Sequence, residues 1–229
     1  MNIDVRRAIC IVLLAVILGW YIYVYVTTPK LDETIRSRAR KQTDVLDTLD
    51  NGDLILLSGG SYGEAICKWF CGSPFSHVGM VFREGNTLYF LECDLGQQRK
   101  SGVRVIPLKE KLARYQGQQV AGYKRLSAYN GSSKPSVSKI MEVINDTLHV
   151  KQDNLMLTWL FGNSSLSRSI KRDTHMFCSE FIAYVMIRLG IIEDKTPAYR
   201  YSPGDFDLSR LPYKNGYSYS TTEYFQREK

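Results

Sequence analysis

Strand-like spacing in this chain is confined to one stretch and helical spacing to the next. Between Asp53 and Arg125 short apolar runs and two-residue alternation recur, and after Asn130-Gly-Ser-Ser the pattern changes to that of helices. Strands in one block and helices in another predict an α+β fold, an antiparallel β-sheet or barrel packed against helices. Asn51-Gly52 is a turn signal, and Asp53 to Leu57 is a short apolar strand ended by Gly59-Gly60. Tyr62 to Phe70 reads as a short helix. Ser76 to Phe82 is a second strand, apolar on both faces, which Glu84-Gly-Asn86 turns into Thr87 to Cys93. In that hairpin strand Leu88, Phe90 and Glu92 share one face and Tyr89, Leu91 and Cys93 the other. Val103 to Pro107 and Gln119 to Arg125 complete the strands. Pro135 with Ser136 or Ser138 opens a helix striped by Val137, Ile140, Met141, Ile144 and Leu148, and another apolar segment runs from Leu155 to Phe161.

Thr174 to Leu189 carries the chemistry. Cys178, Phe181, Ile182, Val185 and Leu189 recur at helical spacing, so one face packs inward with Cys178 at its N-terminal edge. Unpaired backbone N–H groups and the helix dipole favour thiolate over thiol at such a position. A buried core cysteine is the plainer reading of Cys178 taken by itself.

A thiol enzyme also needs an imidazole and a polar group that orients it. His77 on its strand is the best imidazole, although a histidine between apolar neighbours also serves as a satisfied core residue. Glu92 stands beside Phe90 and Leu91, where a carboxylate is unfavourable without a hydrogen-bonded partner, and a charged His77 would be that partner. His175 and His149 are rival bases; His175 lies three residues before Cys178 on the same helix start. Cys67, Cys71, His77 and Cys93 form a rival zinc set, but Cys-x3-Cys with two scattered partners lacks paired knuckles.

The N-terminus gives a separate signal. Ala8 to Val26 is about nineteen residues without a charge, flanked by Arg6-Arg7 and Lys30, enough for a bilayer core of about 30 Å. Trp20, Tyr21, Tyr23 and Tyr25 crowd its second half, as at a membrane interface. No small-x-small cleavage site follows, so an uncleaved transmembrane anchor over residues 1–30 is expected rather than a signal peptide. Residues 31–50 read as a juxtamembrane helix or linker, and 51–229 as one folded domain. The basic excess Lys30, Arg36, Arg38, Arg40 and Lys41 places that domain on the cytoplasmic side of a single-pass protein; sequons at Asn130, Asn145 and Asn163 would matter only on the other side. Five cysteines without regular spacing speak against a disulfide framework. A net charge of +7 without a basic-aromatic stripe suits anionic surfaces and gives no sign of specific nucleic-acid binding.

Gly52-Asp-Leu-Ile-Leu, Ser76-His-Val-Gly-Met, Leu91-Glu92, Phe177-Cys-Ser-Glu-Phe and Ser202-Pro-Gly-Asp-Phe together resemble the permuted papain-like cysteine peptidases and amidases of the NlpC superfamily, the group with bacterial YiiX-type and poxvirus members and distant kinship to lecithin retinol acyltransferase. The resemblance covers roughly residues 51 to 208 and includes the order of histidine strand before cysteine helix. It implies a circularly permuted papain-like fold, catalytic Cys178, His77 as base and Glu92 as third residue. Free thiols at Cys67, Cys71 and Cys93 go with no metal, and no cofactor is expected. The expected activity is a membrane-anchored thiol-dependent hydrolase or acyltransferase on an amide, ester or lipid-type substrate. A catalytically silent domain acting as a membrane-bound structural or interaction protein is the alternative.

Overall fold

The computed structural model describes residues 3–94, 102–152 and 175–228. Helix α1 (Ile3–Thr27) leads into α2 (Glu33–Arg38), strand β1 (Arg40–Lys41) and α3 (Gln42–Leu46). Then follow β2 (Leu54–Leu57), α4 (Tyr62–Cys71), β3 (His77–Glu84), β4 (Thr87–Asp94), β5 (Gly102–Pro107), α5 (Leu108–Arg114), β6 (Val120–Lys124) and β7 (Leu126–Ala128). The last part comprises α6 (Val137–Thr147), β8 (Lys151–Gln152), β9 (His175–Met176), α7 (Cys178–Arg188), α8 (Pro203–Asp207), β10 (Tyr217–Tyr219) and β11 (Glu223–Gln226). The expected segment at 155–161 and the sequon at Asn163 lie outside the described residues, as does the side chain of His175.

Seven strands form one sheet in the order β1-β11-β6-β2-β3-β4-β5. Every neighbouring pair is antiparallel except β1 with β11, which run parallel. The molecule is therefore α+β with a mixed sheet rather than the expected antiparallel one. The cause lies at the two ends of the chain: Glu223–Gln226, in a tail that reads as polar and aromatic, inserts between β6 and the segment before the domain.

Both faces of the sheet are covered, which explains the near-continuous apolar runs of β2 and β3. Leu54, Leu56, Val78, Met80, Phe82, Leu91 and Cys93 point to a core shared with α6 and α7. Ile55, Leu57, Val81, Phe90 and Tyr123 point to a second core closed by Val45, Leu46 and Leu49 around α3 and by Leu108 and Leu112 of α5. The alternation of β4 thus distributes its side chains between two cores, with Glu92 on the Phe90 side. A two-residue turn with Gly85 at φ 58° joins β3 to β4, a left-handed conformation that glycine adopts without penalty.

The transmembrane anchor is not supported. Among the described residues no helix is long and apolar enough to cross a membrane. The aromatic residues that suggested an interface belt instead join α1 to α4: Trp20 meets the Trp69 ring edge-on at 5.5 Å, Tyr21 stacks on Tyr62 at 4.5 Å, and Tyr23 lies 6.1 Å from Trp69. Val24 is fully buried, and the Thr28 hydroxyl donates to the Ala65 carbonyl. Leu13, Leu14, Ile17 and Leu18 on the same helix stay exposed. The single-pass localisation with a cytoplasmic domain falls with the anchor.

Candidate functional site

Helix α7 begins at Cys178 because Glu180 folds back on the chain entering it, its carboxylate accepting from the Phe177 N–H at 3.3 Å. Phe181, Ile182, Val185 and Met186 then fix the helix on the first core. This places the Cys178 sulfur, nearly buried, 4.0 Å from the Ser76 carbonyl oxygen at the start of β3. His77 is the next residue, so the strand that carries the imidazole also meets the thiol.

The His77 ring donates from Nε2 to Glu92 Oε2 at 2.6 Å. That leaves Nδ1 as the nitrogen able to meet Cys178. Gly79, two residues on and so on the same face, makes room for this arrangement. A Cβ there would sit 2.1 Å from the Phe90 ring and 2.8 Å from the Leu91 carbonyl oxygen. Phe90 consequently lies across the strand, its ring 6.3 Å from that of His77. The glycine of Ser76-His-Val-Gly-Met is there for this close approach.

Glu92 is fully buried and held by two further cations. Lys111 of α5 donates to both carboxylate oxygens, at 2.7 and 2.9 Å, and Arg104 of β5 donates to Oε1 at 2.8 Å. The same two cations reach Asp94 Oδ2 at 3.0 and 2.6 Å. Arg104 stands directly opposite Glu92 in the β4/β5 register, where opposite charges attract across strands. Neither Arg104, Lys111 nor Asp94 is apparent as a site residue from the sequence. Lys111 lies in the charge-rich Leu108–Arg114 helix, yet its ammonium is buried against the Phe90 and Tyr115 rings.

Titration follows from this geometry. Burial opposes the charge on His77, but the neighbouring Cys178, by charge and hydrogen bonding, and then Glu92 outweigh it and push the imidazole up to about 10. Glu92 is likewise opposed by burial, yet its bond to His77 and the charges of His77 and Lys111 hold its carboxyl below the usual range. Asp94, against the same kind of opposition, is lowered to about 2 by His77, Lys111 and Arg104.

Cys178, His77 and Glu92, far apart in sequence, are thus brought together. Of the rival bases, His149 is exposed beyond the end of α6, and the side chain of His175 lies outside the described residues. Cys67 and Cys71 are one helical turn apart on α4 with their sulfurs 3.8 Å from each other, whereas the Cys93 thiol donates to the Met176 carbonyl at 3.4 Å. Among the described residues no group of three or more histidine, cysteine, aspartate or glutamate side chains is arranged to hold a metal ion. Two remaining motif segments act structurally. Asp53 is buried and accepts from the Leu126 and Asp50 N–H groups, closing the turn before β2. Ser202 and Asp205 cap α8, where Gly204 lets the chain approach Cys71 so closely that a Cβ would lie 2.5 Å from the Cys71 carbonyl oxygen.

No family model matches the chain, and no curated protein matches it. Among solved structures it is similar to the crystal structure of metalloprotein yiiX from Escherichia coli O157:H7, at 17% identity and a TM-score of 0.46, over 76% of this chain and 98% of that one.

Proposed function

We propose that the chain is a thiol-dependent hydrolase or acyltransferase acting on an amide, ester or thioester through Cys178. The observation that carries the reading is the buried His77, bonded at 2.6 Å to a fully buried glutamate and held charged by the sulfur beside it. A histidine that served only packing would gain little from the four linked charges of Glu92, Lys111, Arg104 and Asp94 at its back. Within the network His77, Lys111 and Arg104 set three positive charges against the carboxylates of Glu92 and Asp94, an excess that suits the negative charge of an attacking sulfur.

In the proposed reaction the Cys178 sulfur attacks the carbonyl carbon and a C–S bond forms while the carbonyl π pair moves onto oxygen. Collapse expels the leaving group, which takes its proton from the His77 imidazolium. Water, or an acceptor hydroxyl or amine, then gives a proton back to His77 as it displaces the sulfur. Glu92 keeps the ring oriented, and Lys111 with Arg104 keeps Glu92 ionised and in place. The Cys178 N–H, at the start of α7 where helix donors have no partner within the helix, faces the oxyanion.

The test is acylation by p-nitrophenyl acetate followed by mapping of the acetylated residue. Acetyl on Cys178, absent from His77→Ala, is the expected result. Labelling spread over several cysteines, or none, would leave the chain as a silent interaction domain.

A further inference from the structure

Arg104 Nε, Arg125 Nε and the hydroxyls of Tyr115, Tyr201 and Tyr213 are buried side-chain polar atoms with no hydrogen-bond partner among the described residues. Tyr115 belongs to the neighbourhood of the thiol. Its ring lies 5.4 Å from the Lys111 ammonium that binds Glu92, and 5.2 Å from the Arg227 guanidinium. Arg227 in turn donates to the carbonyls of Leu112, Tyr115, Gly117 and Gln118, which fixes the turn that carries the tyrosine. Gly117 packs so closely that a Cβ would lie 2.2 Å from the Tyr115 ring and 2.3 Å from the Ser58 carbonyl oxygen. The ring is therefore held from several sides while its hydroxyl, close to that of Ser76, makes no well-formed hydrogen bond among the described residues. Ser76, the residue whose carbonyl meets Cys178, has its own hydroxyl engaged by the Gly59 N–H at 2.9 Å.

Burial above all, with the negative charges of Glu64, Asp94 and Cys178, keeps this phenol protonated far above neutral pH, despite a contrary effect of the Ser76 hydroxyl. A buried hydroxyl without an acceptor is unfavourable, and a protein retains one where another molecule supplies the missing oxygen. We propose that Tyr115 is a catalytic residue whose hydroxyl donates a hydrogen bond to the carbonyl oxygen of the substrate as it becomes an oxyanion. Ground-state carbonyls receive a weaker bond than the oxyanion, so the phenol speeds acyl transfer more than it aids binding. The inference rests on the acyl-transfer reading above.

Full-length Tyr115→Phe, which removes one oxygen atom, separates the two. Iodoacetamide alkylates sulfur without making an oxyanion, whereas p-nitrophenyl acetate must pass through one. Tyr115→Phe is expected to be alkylated at Cys178 within about twofold of the wild-type rate, while its nitrophenolate burst slows on the order of a hundredfold. Its melting temperature should be unchanged or higher, because the hydroxyl makes no well-formed hydrogen bond among the described residues. A burst at the wild-type rate overturns the role of Tyr115 alone. Equal slowing of both reactions, or a lowered melting temperature, makes the hydroxyl structural and overturns it too. A wild-type protein that alkylates normally but shows no burst overturns the acyl-transfer reading itself, and the role of Tyr115 with it.

Discussion

His77 Nε2 and Glu92 Oε2, on adjacent strands and fifteen residues apart, meet at 2.6 Å with the carboxylate wholly removed from water. Because Lys111 and Arg104 bind the same carboxylate, Glu92 does more than orient a ring: it neutralises positive charge on three sides. Glu92→Gln removes the buried carboxylate that faces His77 and leaves Lys111 and Arg104 only Asp94 as an anion, and breaking a buried pair in this way costs about 3–5 kcal/mol. Urea denaturation should show a stability loss of that size. A change below about 1 kcal/mol, as for an exposed pair, would contradict the geometry.

The three histidines of the chain make the titration of His77 accessible to NMR. In the wild type its ring should titrate near pH 10, and Cys178→Ser should bring that value down, since the cysteine is the largest influence favouring the charged ring. Linkage fixes the sign for stability. A pKa raised from about 6.5 to about 10 contributes stability that is fully present below pH 6.5 and is lost as pH rises through 10. Glu92 and Asp94 have lowered values, so their contribution is present above about pH 4.5 and lost in acid, through about 2 for Asp94. Denaturation midpoints should form a plateau from about pH 5 to 6.5 and decline on either side. An unchanged midpoint between pH 7 and 10.5 would mean that His77 does not titrate as described.

Gly79 offers a test of how the strand positions the imidazole. With the Phe90 ring and the Leu91 carbonyl oxygen both inside the reach of a methyl group, Gly79→Ala must push β3 and β4 apart or displace Phe90. Overpacking of this kind costs about 1–3 kcal/mol. Thermal melting should show the loss, and the His77 resonance should shift, because the displaced parts border its ring. Melting like that of the wild type would mean the strands absorb the methyl group without strain.

What the sequence discloses, and what it hides, follows from the range of the interactions. The alternation of β4 is legible because it has a period of two and both faces meet apolar neighbours: Leu91 and Cys93 enter one core and Phe90 the other. Cys178 is legible because Phe181, Ile182 and Val185 repeat behind it. Lys111 and Arg104 are not, since they reach Glu92 only through the β4/β5 register that sets Arg104 against it and the packing of α5 that brings Lys111 there, and no local spacing encodes either. The same holds for β11, a four-residue strand whose partners lie about a hundred residues earlier in β6 and still further back in β1. The aromatic residues of α1 mislead for a related reason. Trp20, Tyr21 and Tyr23 suit a membrane interface and the rings of Tyr62 and Trp69 equally well, and only the fold of α4 decides between them.

Four of the five cysteines, Cys67, Cys71, Cys93 and Cys178, should separate under limited iodoacetamide at pH 6.5, read by peptide mapping. Burial and the nearby charge of Cys178 push the Cys93 thiol up, and its hydrogen bond to Met176 further protects it. Cys67 is raised by its bond to Cys71, then by burial. Cys71 is the one competitor: the bond from Cys67, against the effect of burial, favours its thiolate, yet the sulfur is buried where α8 closes on α4. Cys178, held beside a charged imidazole, is expected to label first. His77→Ala should slow that labelling by about tenfold or more, because the nearby positive charge that assists the sulfur is gone. Glu92→Gln should slow it less, because the imidazole remains. If Cys71 labels first, or if Cys178 reacts at the same rate with and without His77, the sulfur is a core atom and the pairing at this site has no chemical consequence.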